Sequence, residues 1–493
     1  MGYKLKILSP VHVGCGDKYT GLNFILDDKR VYVVEPEAII NLLDDEKNLK
    51  FAQWLDVNSN EIARLDQAHR NKKRENPRSE DTRALSNELR KKKRDFTLTT
   101  LVNEKKLVTL EQLKSKAVYS ISAQDGIFKD SEISPFIRQT RLTYIPGTEL
   151  KGAIRTSILY CALQDDESLQ NWLQHSIESM LEEAAEKQRG QVVATFRDYI
   201  SSVKNQKRPD LRKKNKLVEK KNKLVERVKK IESQFQDKVL NSKIDMPDAK
   251  YDVMKFLQVG DSALLGLSDM AVAKTEPFKM SNRFPIVCEY LRPDITVPLT
   301  SFKLDDERSR DTKLDKMQFT ARHKQLMTGL DSILACCHRF AADLLEEEIA
   351  YFTKHDKANI VEHLRKIQRL NTPDVPVLRI GKDEGYTSLT VGLAVKKLMP
   401  DLYENVLIHA TKNKSYDSSI TRDNYYFPKS RKIVHWNGKE MTAGWVQLIP
   451  VSSKTQDPEI EASAKDKKDM PQTKQSGPVD LSGLAVKFNK TRR

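Results

Sequence analysis

The chain has 493 residues, 85 of them lysine or arginine against 69 aspartate or glutamate, giving a formal charge of +16. That excess suits a polyanionic partner, nucleic acid above all, through phosphate contacts and counterion release. No run of about 18 apolar residues exists, "MGYKLKILSP" lacks the layout of a secretory signal, and Cys15, Cys161, Cys288, Cys336 and Cys337 form no paired framework, so a membrane span and a disulfide scaffold are excluded and a soluble cytoplasmic chain is expected.

The opening "YKLKILSPVHVGCGDKYTGLNFILDDKRVYVVEPEAIINLL" reads as a strand, a glycine-rich loop, a hairpin turning at Asp27-Asp28, and a helix entered through Pro36. A charged helical region follows, roughly 45–115, with eleven basic residues between Arg70 and Arg94. Strand signals return at "AVYSISA" (117–123) and again in "LTYIPGTELKGAIRTSILY" (142–160). In the latter, Pro146-Gly147 forces a turn and Thr148 is the expected N-cap of a helix. Leu150, Ala153, Ile154, Ser157, Ile158 and Cys161 form that helix's apolar stripe, with Lys151 and Arg155 off it, expected in solvent.

Long helices are expected from about 165 to 250. There "KNKLVEK" and "KNKLVER" (214–227) are near-copies seven residues apart, which puts Leu217, Leu224 and Ile231 on one seam. Between Lys204 and Lys230 stand thirteen basic and three acidic residues. This segment reads either as a solvated helical hairpin packed through its seam or as an arm for nucleic acid or a protein partner.

Strands resume at "MKFLQVGDSALLG" (254–266) and "EYLRPDITVPLTSFKL" (289–304), before a helical stretch over about 313–370. Then "VPVLRIGKDEGYTSLTVGLAVKKLM" (375–399) repeats the opening pattern of strand, glycine-bearing loop and helix, here with a Thr387/Ser388 cap and an exposed Tyr386. Two strands around Asn437-Gly438 close the folded part as a hairpin. After Val451 the chain is polar and aromatic-poor, and is expected to be disordered. The alternation of short strands and helices in each half predicts an α+β fold of ferredoxin-like type, present twice. The expected boundaries are 1–165 with the insertion at 45–115, a basic helical insertion at 166–250, a second domain at 251–451, and a tail at 452–493.

Three glycine-bearing loops carry the candidate chemistry. The turn at 146–155 offers free helix-start N–H groups, two cations, and Gly147 and Gly152 where a backbone could approach, which together suit phosphate. "GKDEGYTSLT" offers Gly381, Lys382, Gly385 and Tyr386, a tyrosine placed for base stacking beside phosphate. "SPVHVGCGDKYTG" carries His12, Gly14, Gly16, Lys18 and Tyr19 in a loop expected to be flexible. A strand rather than a helix follows its last glycine, and no Lys-Ser/Thr does, so dinucleotide and P-loop readings both fail. Catalytic groupings are meagre: "CCH" (336–338) lacks a zinc partner pair, and the histidines near His355-Asp356 are expected to be structural. His12 could act as acid or base in RNA cleavage, with no identifiable partner.

"SPVHVGCG", "YIPGTELKGAIR" and "FLQVGDS" together resemble the RAMP superfamily of CRISPR-associated RNA-binding proteins. "RIGKDEGYTSLT" with "FPKSRKIV" and "AGWVQLI" narrows the resemblance to the fifth subunit of type III-A (Csm) effector complexes. The resemblance implies tandem RRM-like (ferredoxin-like) domains that bind CRISPR RNA without cutting it. It also implies a seat at one end of the complex, beside the backbone RAMP subunits and the small helical subunit. There the chain would hold the 3′ region of the RNA and support its maturation by cellular nucleases. The matched motifs nominate His12, Gly14, Gly16, Lys18, Tyr19, Gly147, Lys151, Gly152, Arg155, Gly381, Lys382, Gly385, Tyr386, Lys429 and Arg431 as RNA-binding. No cofactor, metal or catalytic residue is implied. The aromatic stacking motif of ordinary RRM proteins is missing, so backbone contacts and loops are expected to carry binding. Two rivals stand beside this: a metal-independent endoribonuclease using His12, and a scaffold whose basic helical arms (70–94 and 204–230) dock an acidic protein.

Overall fold

Two β-sheets organise the chain, and each draws strands from both of its ends. The computed structural model describes residues 2–76, 79–186, 230–243, 248–278, 285–403, 428 and 430–451. The heptad pair at 214–227, nearly all of the basic arm at 204–230, Lys429 and the tail at 452–493 lie outside the described residues.

Strand β1 (Gly2–Ile7) alternates exposed and buried positions, with Leu5 and Ile7 fully buried, as period-2 patterning requires of a half-buried strand. Strands β2 (Phe24–Asp27) and β3 (Arg30–Val33) form the first hairpin. Its turn residues are Asp28 and Lys29, both at positive φ (42° and 56°), one position later than the sequence reading put them. Strand β4 (Tyr119–Ala123) follows the helical insertion, and three two-residue strands come next: β5 (Ile133–Ser134), β6 (Arg138–Gln139) and β7 (Leu142–Thr143). Beyond the second insertion lie β8 (Leu257–Val259), β9 (Met270–Phe278), β10 (Ile286–Leu291), β11 (Thr296–Pro298) and β12 (Phe302–Leu304). The last four are β13 (Val377–Arg379), β14 (Arg431–Trp436), β15 (Lys439–Met441) and β16 (Trp445–Val451).

One sheet has the order β11-β1-β16-β13, so the first and last strands of the folded chain are neighbours. The other runs β15-β14-β9-β4-β3-β2, with β10 and β5 attached. Its hub is β9, which pairs antiparallel with β10 over Met270–Thr275, parallel with β4 at Ala271–Val272, and antiparallel with β14 over Thr275–Phe278. The fold is α+β.

The insertion after the first hairpin is helical, as its charge pattern predicts. Helix α1 (Asp45–Glu75) starts where Asp44 accepts from the Lys47 N–H, and α2 (Glu80–Asp95) where Ser79 accepts from the Thr82 N–H. Beneath them Ile25, Val34, Phe51, Leu98 and Leu101 form a satellite core. The main core lies between the sheets and helices α3 (Gly147–Asp165), α4 (Leu330–Thr353) and α5 (Ala358–Leu370), with Ile154, Ile158, Leu344, Leu345 and Leu364 fully buried. Ile231, the last seam position of the basic arm, is buried in that same core.

Candidate nucleic-acid interface

The loop after β1 is pinned rather than free. Val11 bridges to Leu291, Gly14 to Phe136 and Tyr19 to Ile133, and Ser9 Oγ accepts from the Trp445 N–H at 2.9 Å. His12 sits inside this lacing, 2 % exposed, with its ring edge-on to Phe136. Its Nδ1 lies 2.7 Å from the Glu289 carbonyl oxygen, which can only accept, so Nδ1 carries the proton. Nε2 is then a lone pair, and it has no partner. Burial pushes the imidazole down to about 4, against the Glu289 carbonyl bond and nearby Asp383, which pull it up.

The loop after β13 lies directly on this one. The Lys382 N–H donates to the His12 carbonyl at 3.0 Å. Gly381 has φ +90°, and a Cβ there would meet the His12 carbonyl oxygen at 2.5 Å, so only glycine fits. Lys382 Nζ reaches Ser134 Oγ at 3.2 Å. Asp383 is buried, accepting from Lys432 Nζ at 2.8 Å and Tyr290 Oη at 2.5 Å. Burial raises its carboxyl, but Lys432 and these bonds bring it below the usual range. Glu384 is also buried, and there burial wins: with Glu149 adding repulsion and Arg379 opposing, its carboxyl rises to about 8.

The helix start at 146–155, by contrast, is satisfied from within. Pro146, not Thr148, occupies the N-cap position, and no side chain caps from it. The Gly147 N–H donates instead to Asp261 Oδ1 at 2.8 Å, in the "FLQVGDS" loop. A Cβ on Gly147 would meet the Val259 carbonyl oxygen at 2.3 Å. Lys151 Nζ, half-buried, donates to the Leu257 carbonyl at 2.8 Å, and burial lowers its pKa. Arg155 pairs with Asp252. The two cations expected in solvent therefore hold the α3 start against the 252–261 segment. Gly152 alone faces open space, with nothing within 4 Å of an added Cβ.

One cavity of about 470 Å³ gathers these elements. Six nominated residues line it: His12, Gly14, Gly16, Lys18, Gly381 and Lys382. From the α3 turn only Glu149 reaches it, and the Glu384 side of the second loop completes the wall with Ser134 and Leu389. Among the described residues no three His, Cys, Asp or Glu side chains are grouped to hold a metal ion. None of their helices is long and apolar enough to cross a membrane.

The family model described as RAMPs, the RAMP superfamily, matches residues 4–385. The chain belongs to the RAMP superfamily. Two curated relatives, both described as CRISPR system Cms protein Csm5, align with a third of the chain. The one from Methanocaldococcus jannaschii is 22% identical over 160 residues, 32% of this chain and 30% of that protein. The one from Streptococcus thermophilus is 27% identical over 169 residues, 32% of this chain and 38% of that protein. The matched stretch thus spans about a third of either relative's own length. Two solved structures, each 19% identical, share the fold. A chain of a cryo-EM Csm–crRNA–target RNA ternary complex of a type III-A CRISPR-Cas system superposes with TM-score 0.56, covering 91% of this chain and 100% of that one. The crystal structure of T. onnurineus Csm5 gives 0.51, covering 90% and 99%.

Besides the four at the α3 start, five nominated residues of this RAMP protein, Tyr19, Gly385, Tyr386, Lys429 and Arg431, lie away from the cavity wall or outside the described residues. Arg431, in β14, is buried: its Nε pairs with Glu348, which also accepts from Arg379 Nη1 at 3.2 Å, and its guanidinium lies over the Tyr351 ring. Glu348 is fully buried, so these arginines neutralise an internal charge. Tyr386, expected exposed, lies half-buried against Gly392, and its helical turn starts from Gly385 at φ +82° without a Thr387 or Ser388 side-chain cap. Tyr19 is half-buried, its hydroxyl pKa raised by burial, and Lys429 lies outside the described residues. Glu149 and Glu384 were missed because nothing local marks them. A glutamate in a helix's first turn and one in a charged loop read as solvated.

Proposed function

We propose that this RAMP protein is the fifth, RNA-binding subunit of a type III-A (Csm) effector complex. In this role it holds the 3′ region of the CRISPR RNA at one end of the assembly, without cutting it, and is needed for maturation of that end. The observation that carries the reading is the convergence of two glycine-bearing loops, each following a strand at one end of the chain, on a single cavity rimmed by Lys18 and Lys382. The relatives named Csm5, and the neighbour from a Csm–crRNA complex, support the place in the assembly. Its partners would be the CRISPR RNA, the backbone RAMP subunits and the small helical subunit, with cellular nucleases trimming the RNA.

The state of His12 supports the non-catalytic role. A neutral imidazole held near 4, with no second acid or base at hydrogen-bond distance from Nε2, makes a poor pair for RNA cleavage. Affinity capture of the full chain from cells, followed by RNA sequencing and protein identification, tests the proposal. CRISPR RNA and sister RAMP subunits should be recovered, and the purified chain should leave repeat RNA intact. Metal-independent cutting that His12→Ala abolishes would instead establish the nuclease, and recovery of acidic proteins without RNA would establish the scaffold.

A further inference from the structure

Single-stranded RNA is held by aromatic rings as well as by cations. Both nominated tyrosines are half-buried, Tyr19 in the first loop and Tyr386 against Gly392. Among the described residues one Phe, Tyr or Trp side chain is exposed: Phe128, at 63%. A lone apolar side chain on a surface is ordinary. This one is set apart by where it stands, on the segment 124–132 between β4 and β5, which is tied down along its length and runs into the candidate site. The Gln124 N–H donates to the Val272 carbonyl, and its Oε1 accepts from the Asn437 N–H, both at 2.8 Å. Ile127 is buried in the main core. A turn then closes on Phe128: its N–H donates to Ser131 Oγ and its carbonyl accepts from the Ser131 N–H, both at 3.0 Å. Next, Glu132 pairs with Lys18 Nζ at 2.9 Å, Ile133 exchanges main-chain bonds with Tyr19 at 2.8 Å, and Ser134 lines the cavity. A Cβ on Gly21 would stand 2.7 Å from the Lys129 carbonyl oxygen, so the end of the first loop touches the residue after Phe128.

We infer that Phe128 stacks on one unpaired base of the bound RNA, with an adjoining phosphate near Lys18. The inference rests on the RNA-binding proposal and adds to it a base contact outside the cavity. The ring is held out on a fixed turn, so little freedom is lost when a base covers it. Its π-face meets the π-face that every base has, and it carries no hydrogen-bonding group, so the contact tolerates any base. Lys18 is in an exposed ion pair, its side chain 62% accessible, and a phosphate can compete with Glu132 for it. Paired, stacked bases of a duplex cannot cover the ring, whereas the bases of a single strand can. Stacking neutralises no phosphate, so it strengthens binding without changing the response to salt.

The test is equilibrium binding of a short single-stranded RNA to the full-length chain and to variants at position 128. Phe128→Ala should weaken binding roughly ten-fold, and Phe128→Leu, apolar but without a ring, by a similar factor. Phe128→Tyr should stay within about two-fold of the unaltered chain. The slope of log affinity against log salt should be the same across the series. Making the RNA abasic one position at a time should weaken the unaltered chain roughly ten-fold at one position, and the Phe128→Ala chain there by no more than about two-fold. Because the side chain is exposed, the variants keep the fold, which coincident thermal unfolding checks. Binding by Phe128→Ala as tight as by the unaltered chain overturns the inference and leaves the RNA-binding proposal standing. If that variant instead loses a sister subunit on capture from cells, the ring is a protein contact and the inference falls. Leucine as effective as phenylalanine, or tyrosine as weak as alanine, overturns stacking. Failure of the unaltered chain to bind any RNA overturns the RNA-binding proposal and the inference together.

Discussion

The turn at Gly147 and the turn at Gly381 look alike in the sequence, each a strand, a glycine, a lysine and a helix, yet they do opposite things. At Gly147 the glycine lets another segment of the same chain press in: Val259 and Asp261 occupy the space and the N–H, and Lys151 and Arg155 clamp the junction. At Gly381 the glycine lets two loops touch through the His12 carbonyl, and beyond that contact the wall opens into a cavity. A glycine beside a cation marks close approach. Whether the approaching group is the protein or a ligand is decided by residues far away in the chain.

Four perturbations break or sharpen this contrast. The largest effect belongs to Glu384, on the cavity side. Its carboxyl is raised in the fold, from 4.5 to about 8, so the stability it confers is complete below pH 4.5 and is lost as pH rises through about 8. Glu384→Gln removes the loss, and its stability relative to the unaltered chain should grow between those pH values by roughly 5 kcal/mol at most, read by denaturant unfolding. Next, Gly147→Ala should destabilise by about 1–3 kcal/mol, since its Cβ meets a main-chain oxygen that cannot swing aside. A smaller effect separates the cations. Lys18→Ala with Lys382→Ala should flatten the slope of log affinity for single-stranded RNA against log salt by about 1.4, whereas Lys151→Ala with Arg155→Ala should leave it unchanged. Smallest is Gly152→Ala, an exposed helical glycine with open space around it, which should stabilise by about 0.5–1 kcal/mol in thermal unfolding.

The α+β class, the first hairpin to within one residue, the insertion helices and the Asn437-Gly438 turn, where both residues have positive φ (48° and 72°), were legible from local signals. Strand β9 was missed although it is the hub of the larger sheet. Ala271 and Ala273 have weak strand preference, and the strand is defined by its three partners rather than by its own pattern. The cavity was half legible. Glycine, histidine and lysine announce an unusual loop, and those six residues share one wall. Its acidic half was silent, because an acid's burial is set by what folds over it. Arg431 shows the same limit in reverse: its partner Glu348 stands 83 positions earlier in the chain, so a surface-looking cation proved internal.

Photo-crosslinking of CRISPR RNA to the full chain within its assembled complex, with the attachment sites mapped by mass spectrometry, tests the central claim most directly. Crosslinks should concentrate at residues 12–18 and 381–389 and be absent from Gly147, Lys151, Gly152 and Arg155. Crosslinks confined to the helix start, or RNA attached only to surfaces remote from both loops, would contradict it.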